Sequence, residues 1–349
     1  MELDDDPEEP AFPPFVRPYY EQPLTVARAS GTRLWDLEGR SYLDGYCGVA
    51  TVVLGHCHEQ VDRAAHEQAR TFGHVSAIYR SDLTVSYARE LLRALGGGLR
   101  RVFFVNSGSE AVDLALCLAR VAAGSEHVVA LADGYHGGTY LSKSATGLGG
   151  WHFRSAVAPA IALATTPNCH GCPHRACAAG GQPCLADLAR ELGSIKARGE
   201  TPIVLLEPVL GVGGIVIPPD SYFAGLMELK RETGAVLVVD EVQTGFGRCG
   251  GRLFGFQKVG LTPDLVALGK GIANGYPLGA VAMTRAVAEA DPDLLHFNTF
   301  GGHPASIAAA RQTLSILSSP GFLDGVAVRG ELFLRSEGPG ATCSAWSRR

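Results

Sequence analysis

Lysine is scarce in this sequence. Its 349 residues hold five: Lys143, Lys196, Lys230, Lys258 and Lys270. With a formal net charge of −5, no general basic field recommends nucleic acid or an anionic membrane surface as a partner. No run approaches the roughly 20 apolar residues of a membrane span. The opening MELDDDPEEP has neither the basic start and apolar stretch of a secretory signal nor the arginines of a transit peptide. The expectation is therefore a cytoplasmic protein, or a mitochondrial one only if a leader precedes this chain. Hydrophobic residues make up 46% of the sequence, enough for a large core and more than one ordinary domain. The 44 glycines point to the many tight strand–loop–helix joints of an α/β protein.

The nine cysteines are an odd number without a signal peptide, so most read as reduced and packed. Four of them, Cys169, Cys172, Cys177 and Cys184, cluster with His170 and His174. The spacing C-x2-C-x4-C-x6-C is not that of paired zinc knuckles. An insertion loop is the expectation and a structural zinc the alternative.

Continuous short apolar runs alternate with helical spacing through the middle of the chain. Arg101–Val105, His127–Ala132, Pro202–Leu206, Ala235–Val239, Asp264–Leu268 and Gly279–Met283 read as strands. Glu59–Thr71, Leu83–Leu95, Ala111–Ala122 and Tyr222–Thr233 read as helices. This rhythm predicts a mostly parallel sheet buried on both faces. Two short strands are expected around the turn Glu38-Gly39. Residues 149–187 break the rhythm with Gly, Pro, Cys and His and read as a loop insertion.

Three motifs stand where strands end. Asn106-Ser-Gly-Ser-Glu110 lies between a strand and a helix. Ser107 and Glu110 have capping-box spacing, and Gly108 with Ser109 could receive a phosphate at the helix N-terminus; a plain helix cap is the simpler alternative. Asp240 ends an apolar strand, where open α/β sheets place ligands. A buried, ionised Asp needs a cationic partner such as a protonated pyridine nitrogen, unless it merely caps the next turn. Lys270 also follows a strand, between Gly269 and Gly271. A desolvated lysine there can form an imine with an aldehyde, and the alternative is a strand-end lysine reaching solvent. The other four lysines sit in polar, helical-surface or small-residue contexts. The run Gly245–Gly250 matches G-x-G-x-x-G but lacks the strand–turn–helix setting of a dinucleotide site, and Gly269-Lys270-Gly271 is not a P-loop.

Taken in order, LWDLEGRSYLD, LGHCHEQV, FFVNSGSEAVDLAL, DGYHGGTY, EPVLGVGGIVIPP, VVDEVQTGFGR, PDLVALGKGIANGYPLGAV and HFNTFGGHP resemble the class III (ornithine/omega-type) pyridoxal-phosphate aminotransferases. The likeness runs from about Leu24 to about Arg335, and its FNTFGG style is similar to the alanine–glyoxylate aminotransferase 2 branch and its phospho-lyase relatives. The resemblance implies a fold-type I transferase that binds pyridoxal 5'-phosphate. Lys270 would be the Schiff-base lysine and Asp240 the partner of the pyridine N–H. Gln243 would lie near the ring hydroxyl, with Tyr135 stacked on the ring and His136 shaping the pocket. Gly108 and Ser109 would bind the phosphate, Glu207 would line the site, and Thr299 would reach the neighbouring subunit's phosphate in a homodimer.

On that family's plan the chain divides into an arm (1–23), a small-domain segment with linker (24–80) and a cofactor-binding large domain (81–312, with 149–187 inserted). The start of a C-terminal small domain (313–335) and an aberrant or disordered tail (336–349) follow. Most of that small domain, which closes the substrate site and supplies a carboxylate-binding arginine, is expected to be missing. The implied reaction moves an amino group from an amino acid or omega-amine to an oxo-acid such as pyruvate or glyoxylate. The alternatives are a phospho-lyase acting on a phosphorylated amino alcohol or hydroxylysine, and a non-catalytic truncated isoform or fragment.

Overall fold

The computed structural model describes residues 13, 15–16, 20–75, 78–151, 157–169, 172 and 182–336, with side chains to residue 332. Most of the expected arm, and the tail beyond Ser336, lie outside the described residues. So do Cys177, His170 and His174.

Three strands open the chain: β1 (Val26–Ser30), β2 (Arg33–Asp36) and β3 (Ser41–Leu43), which form a small antiparallel sheet. The turn at Glu38-Gly39 joins β2 to β3, as the sequence predicts. A four-residue turn, α1 (Cys47–Ala50), follows; Gly48 and Val49 within it have left-handed dihedrals. Next come α2 (Glu59–Thr71) and α3 (Asp82–Leu95). In α2, Glu59 and Asp62 sit in the first turn and Arg70 in the last, an arrangement that complements the helix dipole. Ser81 caps α3 by accepting a bond from the Thr84 amide.

The main sheet has seven strands in the order β4-β10-β9-β8-β7-β5-β6. They are β4 (Leu99–Val105), β5 (Val128–Leu131), β6 (Ile161–Ala164), β7 (Ile203–Leu206), β8 (Val236–Asp240), β9 (Leu265–Leu268) and β10 (Gly279–Thr284). The run from β6 to β9 is parallel, and β10 is antiparallel to both its neighbours, β4 and β9. Side-chain alternation divides the core. Val129, Val204, Val239 and Leu268 join one apolar cluster, and Val128, Leu205, Val238 and Ala267 join the other. Burial on both faces explains the unbroken apolar runs in the sequence.

Helix α4 (Gly108–Ala123) packs on the second cluster, and α5 (Tyr140–Ser144) lies against α4. The first cluster is covered by α3, α6 (Pro183–Ala197), α7 (Asp220–Thr233) and α10 (Pro304–Leu317). The remaining helices are short α8 (Gly255–Lys258) and α9 (Arg285–Ala288), then α11 (Phe322–Ser336). No helix among the described residues is long and apolar enough to cross a membrane.

The expectation of a plain loop over 149–187 is corrected. Residues Ile161–Ala164 form β6, paired in parallel with β5 from Val128↔Ile161 to Leu131↔Ala164, and α6 starts at Pro183. As an edge strand β6 is only partly buried, so its four residues carry no two-sided apolar signal. The proline at the start of α6 fits a first helical turn, where its missing N–H costs nothing.

Candidate active site

Three segments distant in sequence meet where β4, β8 and β9 end. A Cβ added to Gly108 would lie 2.6 Å from Val242 Cγ1, and one added to Gly269 would lie 2.9 Å from Gly108 Cα. Both positions therefore require glycine for the backbones to approach. The helix motif, the acid-bearing turn and the lysine turn form one seam.

At the α4 end of the seam, Ser107 Oγ accepts the Glu110 amide at 3.1 Å and caps the helix. Glu110 reaches back to accept the Asn106 amide at 2.6 Å, one residue earlier than the usual capping box. Among the described residues, the first-turn amides of Gly108 and Ser109 have no hydrogen-bond acceptor. Such amides favour a phosphate. Ser109 Oγ accepts the Gly138 amide at 3.0 Å and Thr139 Oγ1 donates to the Ser109 carbonyl at 3.0 Å, tying the cup to the loop that carries Tyr135 and His136.

Lys270 is half-buried in a 3-10 turn between β9 and β10, with φ of +41°. Its Nζ donates to Gln243 Oε1 at 2.6 Å. Burial pushes its pKa down, and Arg248 adds to the push; the Asp240 and Glu207 carboxylates oppose it without prevailing. A neutral amine is thereby more accessible than on an exposed lysine.

Asp240 is 3% exposed. Its Oδ1 accepts the Val242 amide at 3.0 Å, and its Oδ2 lies 2.8 Å from His136 Nδ1. Burial lowers the pKa of His136, but the hydrogen bond and charge of Asp240, with help from Glu207, outweigh it and raise the value. His136 Nε2 is buried without a hydrogen-bond partner among the described residues. Glu207 accepts the amides of Tyr135 at 3.0 Å and Gly211 at 3.1 Å, and burial lifts its carboxyl to about 7. Asp240 finds its positively polarised partner in His136, and a protonated ring nitrogen would be a second.

The residues fit pyridoxal phosphate on these observations: amides of a helix N-terminus for the phosphate, a close-packed glycine seam, a depressed lysine and a buried carboxylate. Tyr135 is half-buried at the rim, its ring 5.2 Å from that of Trp151 in an edge contact. Thr299 is exposed. Its neighbour Asn298 accepts from Asn106 Nδ2 at 3.0 Å, which hangs the 294–300 segment beside the start of α4. A groove of about 760 Å³ between α2, α3 and α10 shares no residue with the site. Among the described residues no group of three or more His, Cys, Asp or Glu is arranged to hold a metal ion.

Sequence reasoning missed Glu241, which is fully buried beside Asp240. Two adjacent acids after an apolar strand could have drawn notice, since their side chains point to opposite sides.

The family model described as aminotransferase class-III matches residues 16–336. An acetylornithine aminotransferase from Methanothermobacter thermautotrophicus is 36% identical over 321 residues, 91% of this chain and 76% of that protein. An Arabidopsis thaliana protein, alanine–glyoxylate aminotransferase 2 homolog 2, is 33% identical over 89% of this chain, and the chain spans 64% of it. Among solved structures, an amine transaminase from an uncultivated Pseudomonas species, in its pyridoxal-phosphate-bound form, superimposes with a TM-score of 0.85. The identity is 29%, covering 94% of this chain and 79% of that one.

Proposed function

The chain belongs to the class-III aminotransferases, and on that premise we propose how its residues divide the work of a pyridoxal-phosphate-dependent transaminase. The cofactor supplies an aldehyde that condenses with amines and a ring that withdraws electrons. Gly108 and Ser109 hold its phosphate through the open amides of α4. Asp240, steadied by His136 at 2.8 Å, keeps a positive charge on the ring nitrogen. Gln243, whose Oε1 accepts the Lys270 amine, would face the ring hydroxyl. Tyr135 would cover one face of the ring, and Glu207 fixes the Tyr135 main chain. Lys270 Nζ would be the amine that meets the cofactor's aldehyde and, when free, the base that takes up the donor's α-proton and gives it back.

The observation that carries this reading is the meeting of Lys270 and Gln243 at 2.6 Å within the seam that holds Asp240 and Gly108. Residues 81–312 form the cofactor-binding unit in this assignment. The donor is an amino acid or omega-amine and the acceptor an oxo-acid; the acetylornithine and alanine–glyoxylate enzymes among the relatives support that substrate class.

A second copy of the chain completes the site, with Thr299 reaching the partner's phosphate. The support is an apolar rim beside Thr299. Leu295 is 95% exposed, Ile78, Tyr79, Phe297 and Phe300 are also exposed, and the Phe300 ring lies 5.3 Å from His74. Patches of this kind mark protein interfaces.

The test supplies purified protein with pyridoxal phosphate, acetylornithine or alanine, and 2-oxoglutarate, pyruvate or glyoxylate. Amine transfer that depends on the oxo-acid is expected. Release of phosphate and ammonia from a phosphorylated amino alcohol, without such transfer, would replace the transaminase with a lyase.

A further inference from the structure

The chemistry above makes no use of Glu241, yet this residue is the more completely buried of the two adjacent acids. It is 0% exposed. Its Oε2 accepts the Thr244 hydroxyl at 2.8 Å and the Gly255 amide at 2.9 Å, and its Oε1 accepts the Phe256 amide at 2.5 Å. Its backbone carbonyl accepts the Gly245 amide at 2.9 Å. No ion pair to Glu241 occurs among the described residues. Burial lifts its carboxyl to about 7, against the pull of those three donors. A buried acid without a counter-ion is costly, so its hydrogen bonds are its whole compensation.

Those bonds close a loop. Residues 244–256 leave the end of β8 and return to start α8, and the Glu241 carboxyl joins both ends. The fit is tight on each side: a Cβ on Gly255 would lie 3.2 Å from Glu241 Oε1, and one on Gly245 would lie 2.8 Å from the Glu241 carbonyl. From within the loop, Phe246 packs on the lysine turn, since a Cβ on Gly271 would lie 3.3 Å from Phe246 Cβ.

Gln243 stands between two pinned neighbours. Val242 is held by Asp240 Oδ1, and Thr244 is held by Glu241 Oε2. A residue so placed has little freedom to turn away from Lys270.

We propose that Glu241 is a positioning residue that clamps both ends of the 244–256 loop to the end of β8, and through Thr244 fixes the direction of Gln243 and Asp240 toward the cofactor. The clamp survives protonation in outline. A proton on Oε2 is donated to Thr244 Oγ once that hydroxyl reverses, while the two amides keep their acceptors. The proposal rests on the assignment of Asp240 and Gln243 to the cofactor.

The experiment compares the full-length holoenzyme with Glu241→Gln, following amide hydrogen exchange at Gly255 and Phe256, the dissociation constant for pyridoxal phosphate, and kcat and KM separately. In Glu241→Gln the amide nitrogen faces at least one donor in place of an acceptor. Faster exchange at both amides is expected, with cofactor affinity weakened about tenfold and kcat reduced while KM for the amino donor holds. Faster exchange with unchanged affinity and kcat overturns the proposal, because the clamp would then serve the loop alone. Should Glu241→Gln not fold, Thr244→Val decides: about threefold weaker cofactor binding supports the proposal, and unaltered binding overturns it. A Lys270→Ala protein separates the underlying reading. If it loses the visible absorbance of lysine-bound cofactor, the assignment stands and the Glu241 result is read on its own; if it keeps that absorbance, the assignment falls and takes the proposal with it.

Discussion

The seam at the ends of β4, β8 and β9 and the apolar rim around Leu295 make opposite departures from ordinary packing. At the seam, Asp240, Glu241, Glu207 and His136 are polar and buried. At the rim, Leu295, Phe297, Phe300, Ile78 and Tyr79 are apolar and exposed. Each arrangement is costly for a lone folded chain: the first through desolvation of ionisable groups, the second through wetted apolar surface. The seam compensates within itself, through amides, a histidine and a lysine. Nothing among the described residues covers the rim in the same way, and the remedy we propose for it is a second copy of the chain. Chemistry is therefore read from what is hidden at unexpected cost, and assembly from what is left uncovered.

The sharpest way to break the comparison is at its amine. Lys270→Ala should abolish the cofactor's lysine-bound absorbance and lower turnover by about 10³-fold or more, as seen by visible spectroscopy and a coupled transaminase assay. Turnover near the normal rate would remove the seam from the reaction. The rim is tested next with Leu295→Asp combined with Phe300→Asp. Sedimentation should show loss of the proposed dimer, with activity down about ten- to a hundredfold if Thr299 completes the neighbour's site. An unchanged dimer would move the interface elsewhere.

Gly108→Ala probes the close approach. The added methyl meets Val242 Cγ1 at 2.6 Å, which should cost about 1–3 kcal/mol of stability and weaken cofactor binding, as followed by denaturant titration and cofactor titration. An effect of similar size, confined to one pH range, belongs to Glu207. Its folded carboxyl titrates near 7 against an ordinary 4.5. A value raised by folding gives a contribution fully present below about pH 4.5 and lost as the pH rises through about 7. Relative to Glu207→Gln, the natural protein should lose stability between pH 5 and pH 8, by at most about 3 kcal/mol. Parallel pH curves for the two proteins would show that Glu207 does not titrate in this range.

Much of this was legible in the sequence where periodicity and burial speak together. The helix expected at Glu59–Thr71 has those bounds, and the six strands expected through the middle of the chain occur within two residues of their predicted ends. Lys270 stood out because it is one of five lysines and follows an apolar strand between glycines. The family motifs then grouped it with Asp240 and Gly108, and the structure brings their segments together. Strand β6 stayed hidden because an edge strand needs only one buried flank, and four residues amid glycine and proline give no period. Helix α10 was missed for a different reason. Its alanine-rich face is buried nearly all round, which removes the polar stripe that marks a surface helix. The pairing of two acids after an apolar strand was the one local sign of Glu241, and its role stayed hidden because the amides that hold it, Gly255 and Phe256, lie 14 and 15 residues away.

The lysine differs from the other seam residues in its mounting. Gly108 and Asp240 lie where a strand hands over to a distant crossover, but Lys270 sits in the connection between β9 and β10, whose legs are laced to each other from Ala280↔Leu268 to Met283↔Leu265. Its anchorage is thus a bracket fixed at both feet. On the proposed assignment, release and recapture of the amine would fall to the four-carbon side chain, with the main chain held by this bracket. A reaction run many times over returns to the same starting point without refitting the framework around it.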